Sequence, residues 1–130
     1  MPTPLKVRGR VFSGEGKGAY FVKLPWAMRQ FEEKLGFIPY AGTLNLALPR
    51  ESEASKILKE HPGIIITPAE GFYPGRCFRV VISGSLQGAI VMPETPNYPE
   101  NVLEVIAPVN LREKLSLRDG DEVEIIVLLE

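Results

Sequence analysis

The chain has 130 residues, 45% of them apolar and 24% charged, the balance of an ordinary globular domain, and its length suffices for one hydrophobic core. Fifteen Lys and Arg stand against 16 Asp and Glu, so the net charge of −1 gives no general attraction for a nucleic-acid backbone. The lone cysteine, Cys77, excludes an internal disulfide and a cysteine-rich metal site, which suits a reducing cytoplasm. No apolar run approaches the roughly 18 residues of a membrane span, and Met1-Pro2-Thr3-Pro4 lacks a signal-peptide core. These features predict a soluble, cytoplasmic, monomeric domain without membrane or nucleic-acid partners.

Twelve prolines and twelve glycines predict many short elements joined by turns. Leu5 to Ser13 alternates as a strand. Gly14-Glu15-Gly16-Lys17-Gly18 interrupts it, and Ala19–Val22 is expected to resume as a second strand. Pro25 to Leu35 fits a helix, with proline in its first turn, Met28, Phe31 and Leu35 on one face, and Gly36 as left-handed cap. Gly42 to Leu48 alternates again. A short helix over residues 51–60 places Ala54, Ile57 and Leu58 inward and stops at His61-Pro62-Gly63.

Beyond that point the pattern is β. Ile64–Ile66, Cys77–Ser83, Gly88–Met92, Val102–Ala107 and Glu122–Leu128 are expected strands, with turns at Gly84-Ser85 and Asp119-Gly120-Asp121. Pro93 to Pro99 is a proline-rich loop, and Leu111–Leu115 a helical turn. Short strands with modest helices in a chain of this length predict a mainly β fold, a compact barrel with helical insertions, forming one domain over residues 1–130.

Three constellations could carry chemistry. In the Gly42–Leu48 strand, Thr43 and Asn45 share the face opposite Leu44, Leu46 and Leu48, about 7 Å apart along the backbone. Their neutral oxygens suit a hard cation such as Mg2+ that completes its shell with water and phosphate; a pair on the wet face of an edge strand would look the same. The turn Gly14-x-Gly16-x-Gly18 could nest an anion on its amides, with Lys17 as a mobile cation, or be a flexible hairpin. It lacks the Lys-Ser/Thr of a Walker loop and, with a strand expected after it, the helix of a dinucleotide fingerprint. Glu104 lies in an apolar run, where a carboxylate requires a partner as structural cap or ligand contact. The Asn110–Arg112 turn offers free amides and a forked guanidinium to a phosphate or base. His61 has no second histidine to pair with, Cys77 has apolar neighbours, and Trp26 and Met28 fit helix packing.

Taken together, Gly9-x-Val11-x-Ser13-Gly14-x-Gly16-x-Gly18, Leu35-Gly36-Phe37-x-Pro39-Tyr40-x-Gly42-Thr43-Leu44-Asn45-Leu46, Glu104-x-Ile106-Ala107-Pro108-x-x-Leu111-Arg112-Glu113 and Leu117-x-Asp119-Gly120-Asp121 resemble the archaeal CTP-dependent riboflavin kinases. The resemblance runs from about Gly9 to Val127. It implies a six-stranded cradle-loop barrel that transfers the γ-phosphoryl group of CTP to the ribityl 5′-hydroxyl of riboflavin, with Mg2+, giving FMN and CDP. Some members of that family carry an N-terminal helix-turn-helix domain, whereas this chain is expected to begin directly with the barrel. The resemblance further implies nucleotide contacts at Glu15, Gly16, Lys17, Gly18, Ala19 and Tyr20 and at Val109, Asn110, Leu111 and Arg112. It places Mg2+ on Thr43 and Asn45 and the flavin on Thr95 and Glu104, with Asn97 or Tyr98 as alternatives to Thr95. Phe21, Tyr40 or Tyr98 could cover the flavin ring. Glu104 is the nearest candidate for a general base. Two other classes fit parts of the pattern: a DNA-binding barrel, since Leu115–Val123 has the form of a swapped-hairpin turn, and a flavin-binding module without kinase activity.

Overall fold

The computed structural model of the protein describes residues 3–14 and 17–129, Lys17 by its backbone only. Seven strands run β1 (Thr3–Phe12), β2 (Leu44–Ala47), β3 (Ile64–Ile66), β4 (Gly75–Ile82), β5 (Leu86–Pro93), β6 (Val102–Ile106) and β7 (Glu122–Leu129). They are interleaved with α1 (Lys17–Val22), α2 (Pro25–Leu35), α3 (Ala54–Lys59) and α4 (Leu111–Lys114). The sheet order is β3-β4-β5-β6-β2-β1-β7, and a further β4–β7 pairing closes six antiparallel strands into a barrel. One edge of β4 serves two partners: residues 75–77 pair with β3, and residues 80–82 pair with β7.

Period-two alternation makes the closure possible. Val7 and Val11 of β1, and Val123, Ile125, Val127 and Leu129 of β7, turn inward. Arg8, Arg10, Glu122 and Glu124 stay outside and form exposed ion pairs, such as Arg8–Glu124 at 3.4 Å, of small energetic weight. Leu44, Leu46, Phe78, Ile90, Leu103 and Val105 complete the interior, and Leu58 of α3 joins this core. The hairpin between β4 and β5 turns through Ser83 (φ 49°) and Gly84 (φ 80°), with Ser85 N donating to Ile82 O at 3.2 Å, a primed turn whose twist matches its strands.

A second core lies outside the barrel. Ala27, Phe31 and Leu35 of α2 pack on Cys77, Ala89, Val91 and Ile106 together with Phe21 and Val22 of α1. The expected helix therefore has its predicted bounds, and Gly36 caps it at φ 85° with its N–H on Glu32 O at 3.1 Å.

The segment after the glycine turn differs from expectation. Ala19–Val22 is part of a helix, α1, not a strand, so a helix does open behind the glycines. Gly18, Phe21 and Val22 are its buried residues, at i, i+3 and i+4. A six-residue helix is too short for its period to stand out from alternation in the sequence, and it forms because its inner face docks on the barrel.

Candidate active site

The outer wall of the barrel carries one buried carboxylate. Glu104, on β6, lies directly opposite Asn45 of β2 and opposite Val91 of β5, so its side chain shares their outward face. It is 1% exposed. Three groups from separate parts of the chain donate to it: Gly18 N to Oε2 at 2.8 Å, Thr43 Oγ1 to Oε1 at 3.0 Å, and the Tyr98 hydroxyl to Oε2. Burial, followed by the charge of this carboxylate, pushes the Tyr98 phenol well above its ordinary pKa and holds the proton on tyrosine.

Thr43 and Asn45 meet beside it, with Thr43 Oγ1 3.3 Å from Asn45 Oδ1. The Asn45 amide group donates to Gly14 O at 2.8 Å, tying β2 to the glycine turn. Their strand is not an edge: β2 lies between β1 and β6, and Asn45 is 6% exposed. The face opposite the leucines is therefore covered rather than wet, because α1 and Gly14 lie against it. The regular strand is also shorter than its alternation suggests, and Thr43 immediately precedes it.

Two clefts of different character flank this cluster. The larger, about 560 Å³, is walled by Tyr20, Phe21, Trp26, Phe72 and Tyr73, with Ala19 and Thr95 also on its lining. Trp26 stands edge-on to Phe21 at 5.5 Å between ring centroids and tilted to Phe72 at the same separation. Among the described residues, Trp26 Nε1 and Thr95 Oγ1 are buried without a hydrogen-bond partner. The smaller cleft, about 160 Å³, is lined by Tyr40, Gly42, Thr43 and Val109–Arg112. Glu104 joins the two, bonded to Gly18 beside the first cleft and to Thr43 on the wall of the second.

At the smaller cleft Asn110 caps α4, accepting from Glu113 N at 3.3 Å. Arg112 is held by Asp119 and by Ser13 Oγ at 3.1 Å. Hydrogen bonds from Arg112 and then Ser13 hold the Asp119 carboxyl below its ordinary pKa. The Asp119-Gly120-Asp121 turn is itself anchored on β1, with Gly120 N on Val11 O and Val11 N on Asp121 O, both at 2.8 Å.

The structure thus brings Gly18, Thr43, Asn45 and Glu104 into one hydrogen-bonded cluster and Val109–Arg112 into an adjoining cleft. Ala19 and Tyr20 line the larger cleft, not the smaller one. Of the expected anion nest, Glu15, Gly16 and the Lys17 side chain lie outside the described residues, and the Gly18 amide is engaged by Glu104. It is Tyr98, three residues beyond Thr95, that donates to Glu104. Trp26 and Phe72 were not legible as cleft residues from the sequence: a tryptophan at helical spacing reads as packing, and Phe72 comes from an irregular segment. That segment is pinned to α2 by Gln30, which donates to Thr67 O at 2.8 Å and accepts from Thr67 N at 2.7 Å. His61 ends α3 as expected, with Nδ1 2.9 Å from Ile57 O. Burial pushes the Cys77 thiol up to about 12, as befits a core residue.

Among known proteins, residues 11–127 match the family model CTP-dep_RFKase, described as a domain of unknown function, DUF120. The riboflavin kinase of Archaeoglobus fulgidus is 48% identical over 130 residues, covering 96% of this chain and 55% of that protein. The riboflavin kinase of Methanosarcina barkeri is 42% identical over 127 residues, covering 92% and 55% respectively. That of Pyrobaculum islandicum is 46% identical over 134 residues, covering 97% and 62%. The chain spans a little over half the length of these relatives. With the match extending over nearly all of its barrel, the chain belongs to the CTP-dependent riboflavin kinase family.

Proposed function

We propose that this barrel transfers the γ-phosphoryl group of CTP to the 5′-hydroxyl of riboflavin, giving FMN and CDP. The observation that carries the reading is the meeting of two dissimilar clefts at one oxygen cluster, Glu104, Thr43 and Asn45. Phosphoryl transfer needs positioning and charge neutralisation, and a wall shared by an aromatic and a polar cleft supplies positioning.

The aromatic cleft would take the isoalloxazine ring. Its volume of about 560 Å³ falls in the range of small-molecule sites, and its aromatic walls suit a flat ring. The smaller cleft, at about 160 Å³, is below that range and would hold only part of a ligand, the cytosine ring, against Val109–Arg112. The glycine turn that ends at Gly18, beside the cluster, would contact the phosphates.

The donor chemistry of Thr43 and Asn45 fits Mg2+. Their oxygens are 3.3 Å apart, and neighbouring ligands of an octahedral Mg2+ with bonds of about 2.1 Å are separated by roughly 3 Å. Both are neutral, so the negative charge would come from nucleotide phosphates. Thr43 and Asn45 would hold the Mg2+, which when bound would offset the negative charge that develops on transfer. Glu104 would accept a hydrogen bond from the riboflavin hydroxyl and orient it. The hydroxyl oxygen then bonds to the γ-phosphorus as the bond to CDP breaks, and Glu104 is the group able to take the proton as transfer completes.

The test is incubation of the protein with riboflavin, Mg2+ and each of the four nucleoside triphosphates, followed by chromatography for FMN. FMN should form fastest with CTP. No FMN with any nucleotide would overturn the activity, and a higher rate with ATP would overturn the donor.

A further inference from the structure

Glu104 presents a difficulty for any substrate that must reach it, because it is 1% exposed. Its three covering donors are unequal. Gly18 contributes a backbone amide of α1, and Thr43 adjoins β2, a strand paired on both sides. Tyr98 belongs to the irregular span after β5, which contains Pro96 and Pro99 and turns through Asn97 at φ 62°. That span is anchored at its ends: Glu94 N donates to Pro74 O at 2.9 Å, Lys59 reaches Glu100 Oε1 at 3.1 Å, and Asn101 O accepts from Leu48 N at 2.8 Å. Between those anchors the Tyr98 side chain bonds directly to Glu104. A further cleft of about 480 Å³, lined by Thr95, Asn97 and Tyr98 among others, adjoins it. The ring has room to move there.

We propose that Tyr98 stands in for the acceptor: its phenolic hydroxyl holds the place on Glu104 Oε2 that the ribityl hydroxyl takes, so that tyrosine and acceptor alcohol compete for one carboxylate oxygen. The match is chemical, since each is a neutral O–H donor to the same anion. Tyr98 is then a gatekeeping contact whose release accompanies acceptor binding, and it sets riboflavin affinity without touching the nucleotide. The inference rests on the kinase reading above.

The experiment is a fluorescence titration of the parent and of Tyr98→Phe with riboflavin and with lumichrome, the alloxazine tautomer of the flavin ring without a ribityl chain. Phenylalanine keeps the ring and deletes the competing hydroxyl. The riboflavin Kd should fall about three- to tenfold, the scale of one hydrogen bond removed from the competing state. Lumichrome has no alcohol to place on Glu104, so its Kd should be the same for both proteins, and the CTP Michaelis constant should not change. Weaker or unchanged riboflavin binding in Tyr98→Phe would overturn the proposal, and equal tightening of lumichrome would show that only ring access had changed. Should Tyr98→Phe not fold, the parent labelled with fluorotyrosine serves instead. Its Tyr98 fluorine resonance should shift with riboflavin and hold still with lumichrome, and a resonance that moves with neither overturns the proposal. A parent that binds no riboflavin at all would overturn the kinase reading itself, a result distinct from these.

Discussion

Gly18 and Glu104 approach so closely that a β-carbon on residue 18 would lie 2.4 Å from Glu104 Oε2 and 2.6 Å from its carboxyl carbon. Glycine is required there by space, not by backbone angle, since the Gly18 amide must come within 2.8 Å of the carboxylate. The residue belongs to the glycine turn expected to meet phosphate, yet its described contact is with an acidic side chain 86 positions away.

Gly18→Ala should therefore disable the site by displacing Glu104. We expect turnover and riboflavin affinity to fall by about ten- to a hundredfold, the scale of a lost charged hydrogen bond. Because both substitutions act on one contact, adding Glu104→Gln should cost little more than either alone. Steady-state kinetics on the two single variants and the double variant measure this, and full additivity would show that the two residues work separately.

Thr43 and Asn45 should each cost stability when truncated and should agree in metal dependence. Thr43→Val keeps the branched shape but leaves Oε1 of the buried Glu104 without its donor, which should cost about 1–3 kcal/mol. Asn45→Ala removes a 6%-exposed amide and leaves Gly14 O without its donor, which should cost about 1–3 kcal/mol. Both variants should need more Mg2+ for half-maximal rate and lose at least about tenfold in turnover, with one of two neutral ligands gone. Thermal melts and Mg2+ titrations at saturating CTP check the pair, and an unchanged Mg2+ requirement would move the metal elsewhere.

Asp119 positions Arg112, and its depressed pKa fixes the sign of the acid response. Its stabilising contribution is present above the ordinary carboxyl value of 3.8 and is lost as pH falls through the lower folded value. Nucleotide affinity should accordingly be insensitive to this group near neutrality and weaken only in strong acid. Asp119→Asn should raise the CTP Michaelis constant several-fold at neutral pH while leaving riboflavin binding alone. Equal effects on both substrates would mean that the turn supports the barrel rather than Arg112.

Cys77 should be inert in the folded protein. Its thiol is buried at 0% exposure and its pKa is pushed from 9.0 up to about 12, so alkylation at pH 8 should wait on unfolding. The same shift predicts an alkaline response: the thiol's share of stability is complete below about 9 and is lost as pH rises toward 12. Rapid labelling by iodoacetamide under native conditions would contradict the burial.

Where side chains alternate over many residues, as in Val7 to Val11 or Val123 to Leu129, the sequence alone determined the strands, because one buried face per strand admits one register. It determined α2 for the same reason, with proline and glycine marking both ends. The motif at Gly42–Leu46 was legible as a chemical pair, since spacing two places both polar residues on one face. Only the tertiary structure decided what that face meets. Barrel closure made β2 an inner strand, and a short helix whose six residues carry too little pattern to announce themselves came to lie over it. Gly18 and Thr43 are far from Glu104 in sequence, Tyr98 precedes it by six residues across a proline-rich loop, and each alone satisfies an unremarkable local rule. Their convergence follows from the β2–β6 register and from a proline-rich loop whose path is set by its anchors, neither of which has a local signature in the chain.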